Sequence, residues 1–177
     1  MRVCPSAMGG FNGSWTGAYD PATDLIFAPA IDSCMTYMKG IATYVKGIPY
    51  FGGYPNMVDG QAGKAYGSLS AIEVKTGKVK WRYRDARPMM AGVVATSGGV
   101  LFTSNLEGEA LAFDQASGTK LWSFRMNGEG RGQPIVYELD GKPYVAISSG
   151  GFLTMDILSG KYSAVPEAGE LFVFSLD

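Results

Sequence analysis

Few residues of this 177-residue chain can do chemistry, and the shortage is informative. There is no histidine. That removes a Ser-His-Asp triad, a histidine general base, a histidine-based zinc site and a CxxCH haem attachment. Cys4 and Cys34 are the only thiols, so a four-cysteine zinc site is excluded too. Thirty residues apart, they read either as a disulfide of an exported protein or as two buried free thiols. Asn12, in "GGFNGSW", carries an amide that can donate and accept at once, toward a ligand or toward its own backbone turn. Met90, in "RPMMAGVVAT", has a polarisable sulfur suited to a π-face or to a core. The carboxylates of Asp20, Glu73 and Asp114 stand at turn positions, where backbone groups are the natural partners. No catalytic or metal-ligating residue is assigned to the chain.

The elements that must position these groups are strands. Hydrophobic residues make up 46% and charged residues 18%, a globular composition with a net charge of −1. No basic stripe suits nucleic acid, and no basic amphipathic stretch suits an anionic membrane. The longest uncharged run, residues 3–19, is too rich in Gly, Ser, Asn and Pro to span a bilayer. The start, "MRVCPSAMGG", lacks the apolar core of a signal peptide, so an exported chain would need its signal elsewhere or already removed. Twenty-five glycines, nine prolines and ten tyrosines favour many short strands and turns.

A repeat organises them. "AIEVKTGKVKW" (71–81) lies on "AFDQASGTKLW" (112–122), with Glu73 on Asp114, Thr76 on Ser117, Gly77 on Gly118 and Trp81 on Trp122, an interval of 41 residues. "GSLSAI" (67–72), "GEALAF" (108–113) and "GELFVF" (169–174) extend the match, and "AYDPATDLIF" (18–27) reads as a weaker, earlier copy. "SLSAIEV" alternates like a half-buried strand. The acid and the Thr/Ser bond a tight turn, and the glycine supplies φ > 0. "GGVLFTSN" (98–105) is a further strand between copies. About four strands per period of roughly 40 residues is the signature of a β-propeller. Residues 1–177 then hold about three to four four-stranded blades, with each Trp packed between neighbours. The final copy lacks a returning Trp strand, so the chain reads as an incomplete domain.

The pattern Ala-x-Asp/Glu-x-x-Thr/Ser-Gly-x-x-x-Trp resembles the tryptophan-docking motif of quinoprotein alcohol dehydrogenases, which use pyrroloquinoline quinone (PQQ). "CPSAMGGFN" (4–12), "CMTY" (34–37), "GQPIVYELDGKPYVAISSGG" (132–151) and "GELFVFSL" (169–176) resemble the C-terminal third of that family, in order. The resemblance implies an eight-bladed propeller holding PQQ beside Ca²⁺ or a lanthanide. It implies oxidation of primary alcohols to aldehydes in the periplasm, with electrons passed to a cytochrome c. It implies a Cys4–Cys34 disulfide, and PQQ contact for Asn12, for Met90 where the family often has a Trp, and for Phe152 where another Trp is frequent. Asn12 follows Cys4 by the family's eight residues, whereas Gly13-Ser14 interrupt its usual Asn-Trp. The family's catalytic Asp and its metal-binding Glu and Asn lie in earlier blades and have no counterpart in this sequence. Missing N-terminal blades, or another copy of the chain, are the expected partners. The alternative reading is a non-catalytic Trp-repeat scaffold or degenerate fragment.

Overall fold

The computed structural model describes residues 1–4, 10–11, 16–41, 43–48, 50, 52–56, 66–150 and 169–175. All the described elements are strands, and no helix among these residues is long and apolar enough to cross a membrane. Strands β2 (Ala18–Asp20), β3 (Leu25–Asp32), β6 (Tyr66–Glu73) and β7 (Val79–Asp85) form one antiparallel sheet in that order. A second sheet runs β8 (Val94–Ala95), β9 (Val100–Ser104), β10 (Glu109–Asp114), β11 (Lys120–Arg125). A third holds β12 (Ile135–Leu139), β13 (Lys142–Ser149) and β14 (Glu170–Ser175). These are two four-stranded blades and one that has three strands among the described residues. A small sheet, β1 (Arg2–Val3), β4 (Met35–Lys39) and β5 (Gly53–Asn56), grows from the excursion between β3 and β6.

The turns follow the repeat chemistry. Thr76 Oγ1 donates to Glu73 Oε2 at 2.7 Å, and Ser117 Oγ to Asp114 Oδ1 at 2.7 Å. Gly77 and Gly118 have φ of 68° and 73°, the left-handed region that a side chain resists. Thr23 Oγ1 donates to Asp20 Oδ2 at 2.6 Å in the same manner, but this hairpin joins the first two strands of its sheet, β2 and β3. Residues 18–27 are therefore not a copy of the β6–β7 unit. They share its turn chemistry at another place in the blade.

Two cores lie between the three sheets. Leu25, Phe27, Leu69 and Ala71 of the first sheet meet Leu101, Leu111 and Phe113 of the second. On its opposite side the second sheet presents Ala110, which packs with Met126, Val145 and Ile147. Alternate residues of β10 thus serve different cores, so the strand is buried on both faces. β6 is buried on both faces as well, not half-buried as its alternation suggests: Ser68 and Ser70 are 7% and 5% exposed. Arg82 on β7 covers that side and donates from Nε to Ser70 Oγ at 2.9 Å.

Trp81 on β7 joins the first two sheets. Its indole Nε1 donates to the Gln115 carbonyl at 2.9 Å, its ring lies 5.9 Å from that of Phe27, and it covers Gly118. A Cβ at Gly118 would stand 2.5 Å from Trp81 Cδ2 and Cε3, so only glycine admits the ring. Trp122, the repeat partner, packs on Phe174 of the third sheet at 5.0 Å but is 37% exposed. Cys4 and Cys34 form a disulfide that ties the end of β1 to the β3–β4 junction.

Candidate functional site

The site is defined by where the first strands of the sheets begin. Sheets one and three are not neighbours, yet Thr16 Oγ1 donates to Gln133 Oε1 at 2.5 Å across 117 residues of sequence. Val93 N donates to the Thr16 carbonyl at 2.9 Å, and Gln133 Nε2 to the Val93 carbonyl at 3.4 Å. Thr16, Gly92 and Gln133 each stand two residues before a first strand, β2, β8 or β12. Three successive sheets can touch in this way only if their first strands converge on a common axis. Gly92 makes the approach possible: a Cβ there would lie 2.8 Å from Gln133 Cβ and 3.0 Å from Thr16 Oγ1. The exposed Thr16 and Gln133 side chains give this axial end a polar, hydrogen-bonding surface.

Of the residues singled out from sequence, Met90 lies on the β7–β8 connection and is 7% exposed. Asn12 and Phe152 lie outside the described residues. Cys4 is bonded to Cys34, and Gly10 N donates to the Ile31 carbonyl at 2.7 Å. Asp20 and Asp114 serve their turns. The Thr23 hydroxyl holds the Asp20 carboxyl below the usual carboxylate range, and the Ser117 hydroxyl does the same for Asp114.

Other polar groups at this end were not evident from sequence. Asn105, 1% exposed, donates from Nδ2 to Asp85 Oδ2 at 3.0 Å and to Glu109 Oε2 at 2.9 Å. Asp85 Oδ1 accepts from Arg87 N at 3.1 Å, and Arg87 reaches the Leu106 carbonyl from Nη1 at 3.2 Å and Glu107 from Nε at 2.6 Å. Burial, with Asp85 beside it, pushes the Tyr83 hydroxyl pKa up. This buried network pins the start of the connection that carries Met90. On the next connection Glu129 is 5% exposed, and its Oε2 accepts from Arg131 Nε at 2.9 Å and Nη2 at 2.5 Å. The only sequence signal for these positions is the repeat interval: Gly92 and Gln133 are 41 residues apart, as are Met90 and Arg131.

The polar groups here are a hydroxyl and a carboxamide bonded to each other and, on the same connection as Gln133, a guanidinium held by a buried carboxylate. They do not suit a metal: among the described residues no three His, Cys, Asp or Glu side chains group to hold one.

Residues 65–163 match the family model PQQ_2, described as outer membrane protein assembly factor BamB. The chain is 30% identical over 200 residues to a lanthanide-dependent methanol dehydrogenase of Methylacidiphilum fumariolicum, covering 99% of this chain and 33% of that protein. It is 33% identical over 184 residues to a quinoprotein ethanol dehydrogenase of Pseudomonas aeruginosa, covering 99% of this chain and 29% of the relative. A solved europium-containing methanol dehydrogenase superimposes on 99% of the chain and matches 34% of its own, with a TM-score of 0.83 at 27% identity. The chain therefore belongs to the PQQ_2 family of β-propeller proteins, and it spans about a third of the length of the methanol and ethanol dehydrogenases to which it is similar.

Proposed function

We propose that this chain is the C-terminal part of a PQQ-dependent alcohol dehydrogenase that oxidises a primary alcohol to an aldehyde in the periplasm and delivers electrons to a cytochrome c. The observation that carries the reading is the superposition of 99% of the chain on a methanol dehydrogenase at a TM-score of 0.83. The axial convergence of Thr16, Gly92 and Gln133 supports a ligand site on this side of the propeller. PQQ, when bound, supplies the quinone carbonyl that accepts hydride from the alcohol carbon.

The chain's own residues hold and shield that group. Asn12, Met90 and Phe152 are the residues of this chain that would hold that group, and Thr16 and Gln133 would contribute polar groups beside it. Trp81 and Trp122 are the docking tryptophans that keep this side rigid from blade to blade. The catalytic base and the ligands of a Ca²⁺ or lanthanide ion come from blades outside this chain. Those blades, or a second copy of the chain, cover its open faces.

Native mass spectrometry of the protein isolated from its source tests this. An assembly carrying both further propeller polypeptide and PQQ is expected, with dye-linked oxidation of ethanol. A second reading, a non-catalytic scaffold, is favoured by the family model's description as an outer-membrane assembly factor. An isolated protein free of PQQ and unable to bind it would establish that reading and overturn ours.

A further inference from the structure

Glu109 and Glu170 hold the same place in the repeat, at the start of β10 and of β14. Each accepts from an asparagine amide. Asn105 donates from Nδ2 to Glu109 Oε2 at 2.9 Å, and Asn127 donates from Nδ2 to Glu170 Oε1 and Oε2 at 3.0 and 2.9 Å. The two amides differ in their surroundings. Asn105 is 1% exposed and is followed by Leu106, which is also 1% exposed. Asn127 is exposed, lies on the connection between β11 and β12, and is followed by Gly128.

An asparagine loses its amide when the backbone nitrogen of the next residue attacks the side-chain carbonyl carbon. A C–N bond closes a succinimide ring, the bond to the side-chain nitrogen breaks, and ammonia leaves. Water then opens the ring to aspartate or isoaspartate. A side chain on the next residue hinders ring closure, and glycine has none. We propose that Asn127 is a site of spontaneous deamidation, and that its conversion to a carboxylate breaks the contact between the β11–β12 connection and β14. The product sets a second negative charge against Glu170 and has no proton to donate. The start of β14 is released, while the matching Asn105–Glu109 contact of the second blade persists.

The first measurement is peptide mapping by mass of the protein isolated from its source, fresh and after incubation at mildly alkaline pH. The Asn127 peptide is expected to gain the mass change of Asn→Asp, as a mixture of aspartate and isoaspartate, while the Asn105 peptide keeps its amide. An Asn127 that stays an amide, or converts no faster than Asn105, overturns the proposal. The second measurement is amide hydrogen exchange of the peptide spanning β14 in wild type, Asn127→Asp and Asn127→Asp/Glu170→Gln. The single variant reproduces the product, and its β14 amides should exchange about tenfold faster. The double variant exchanges donor and acceptor, so it should return most of the protection. Equal β14 exchange in wild type and Asn127→Asp, or a double variant no better protected than the single one, overturns the claimed consequence of conversion.

Discussion

Replacing Trp81 with alanine removes the side chain that joins the first two sheets. Burying a tryptophan takes about 150–250 Å² out of water. At about 25 cal/mol per Å², full burial is worth roughly 4–6 kcal/mol. Trp81 is partly buried, so about 3 kcal/mol of that applies. Its hydrogen bond to the Gln115 carbonyl adds about 1 kcal/mol. The expected loss is about 4 kcal/mol, within the range for truncating a packed aromatic. Trp81→Phe keeps an aromatic ring but loses the donor and part of the packed area, so it should cost about 1–3 kcal/mol, less than the alanine variant. Trp122→Ala should cost less than Trp81→Ala, because Trp122 is 37% exposed and rests mainly on Phe124 and Phe174. Urea unfolding followed by far-UV circular dichroism measures all three without depending on tryptophan emission. Equal losses for the two alanine variants, or a loss below about 1 kcal/mol at Trp81, would refute the role of this side chain in joining the sheets.

Gly118→Ala should destabilise by about 2–4 kcal/mol, combining the left-handed backbone with a methyl group driven against Trp81, and should shift tryptophan emission. Thiol titration of the unfolded, unreduced chain should find no free thiol. Reduction should cost about 3–4 kcal/mol for the roughly 30-residue loop closed by Cys4–Cys34, read as a fall in urea midpoint. The carboxyls of Asp20 and Asp114 have lowered folded-state pKa values, so their contribution is present above the ordinary carboxylate range and disappears as pH falls through the folded values. The stability gap between wild type and Asp20→Asn/Asp114→Asn should accordingly be widest near neutral pH and close in acid. A gap that is the same at every pH would contradict that origin.

The repeat was legible because its chemistry is local. Glu73 with Thr76, and Asp114 with Ser117, sit three residues apart around a glycine, and the structure uses them as the spacing implies. The same local rule misplaced residues 18–27, since an acid three residues before a threonine marks a turn and does not say which strands the turn joins. The burial of Ser68 and Ser70 escaped notice because a serine beside a covering arginine looks, in sequence, like one facing water. The axial contact of Thr16 with Gln133 was invisible for a different reason: nothing near either residue encodes a partner 117 positions away. The Asp85–Asn105 network is similar, being assembled from the end of one blade and the β9–β10 turn of the next. The Cys4–Cys34 pairing was implied by family resemblance, and its partners do meet.

The excursion between β3 and β6 bears on the order in which the blades assemble. These strands pair along their full length, from Leu25 with Glu73 to Asp32 with Tyr66, although 33 residues separate them. In the second blade β9 and β10 are separated by four. Closing a loop eight times longer adds about 1.8 kcal/mol of chain entropy, roughly a twentyfold slower encounter. The second blade should therefore be the nucleus on which the first condenses, with Trp81 arriving late against a preformed Gly118 surface. Mutations inside β9–β10 would then slow folding, whereas shortening the β3–β6 excursion would accelerate it.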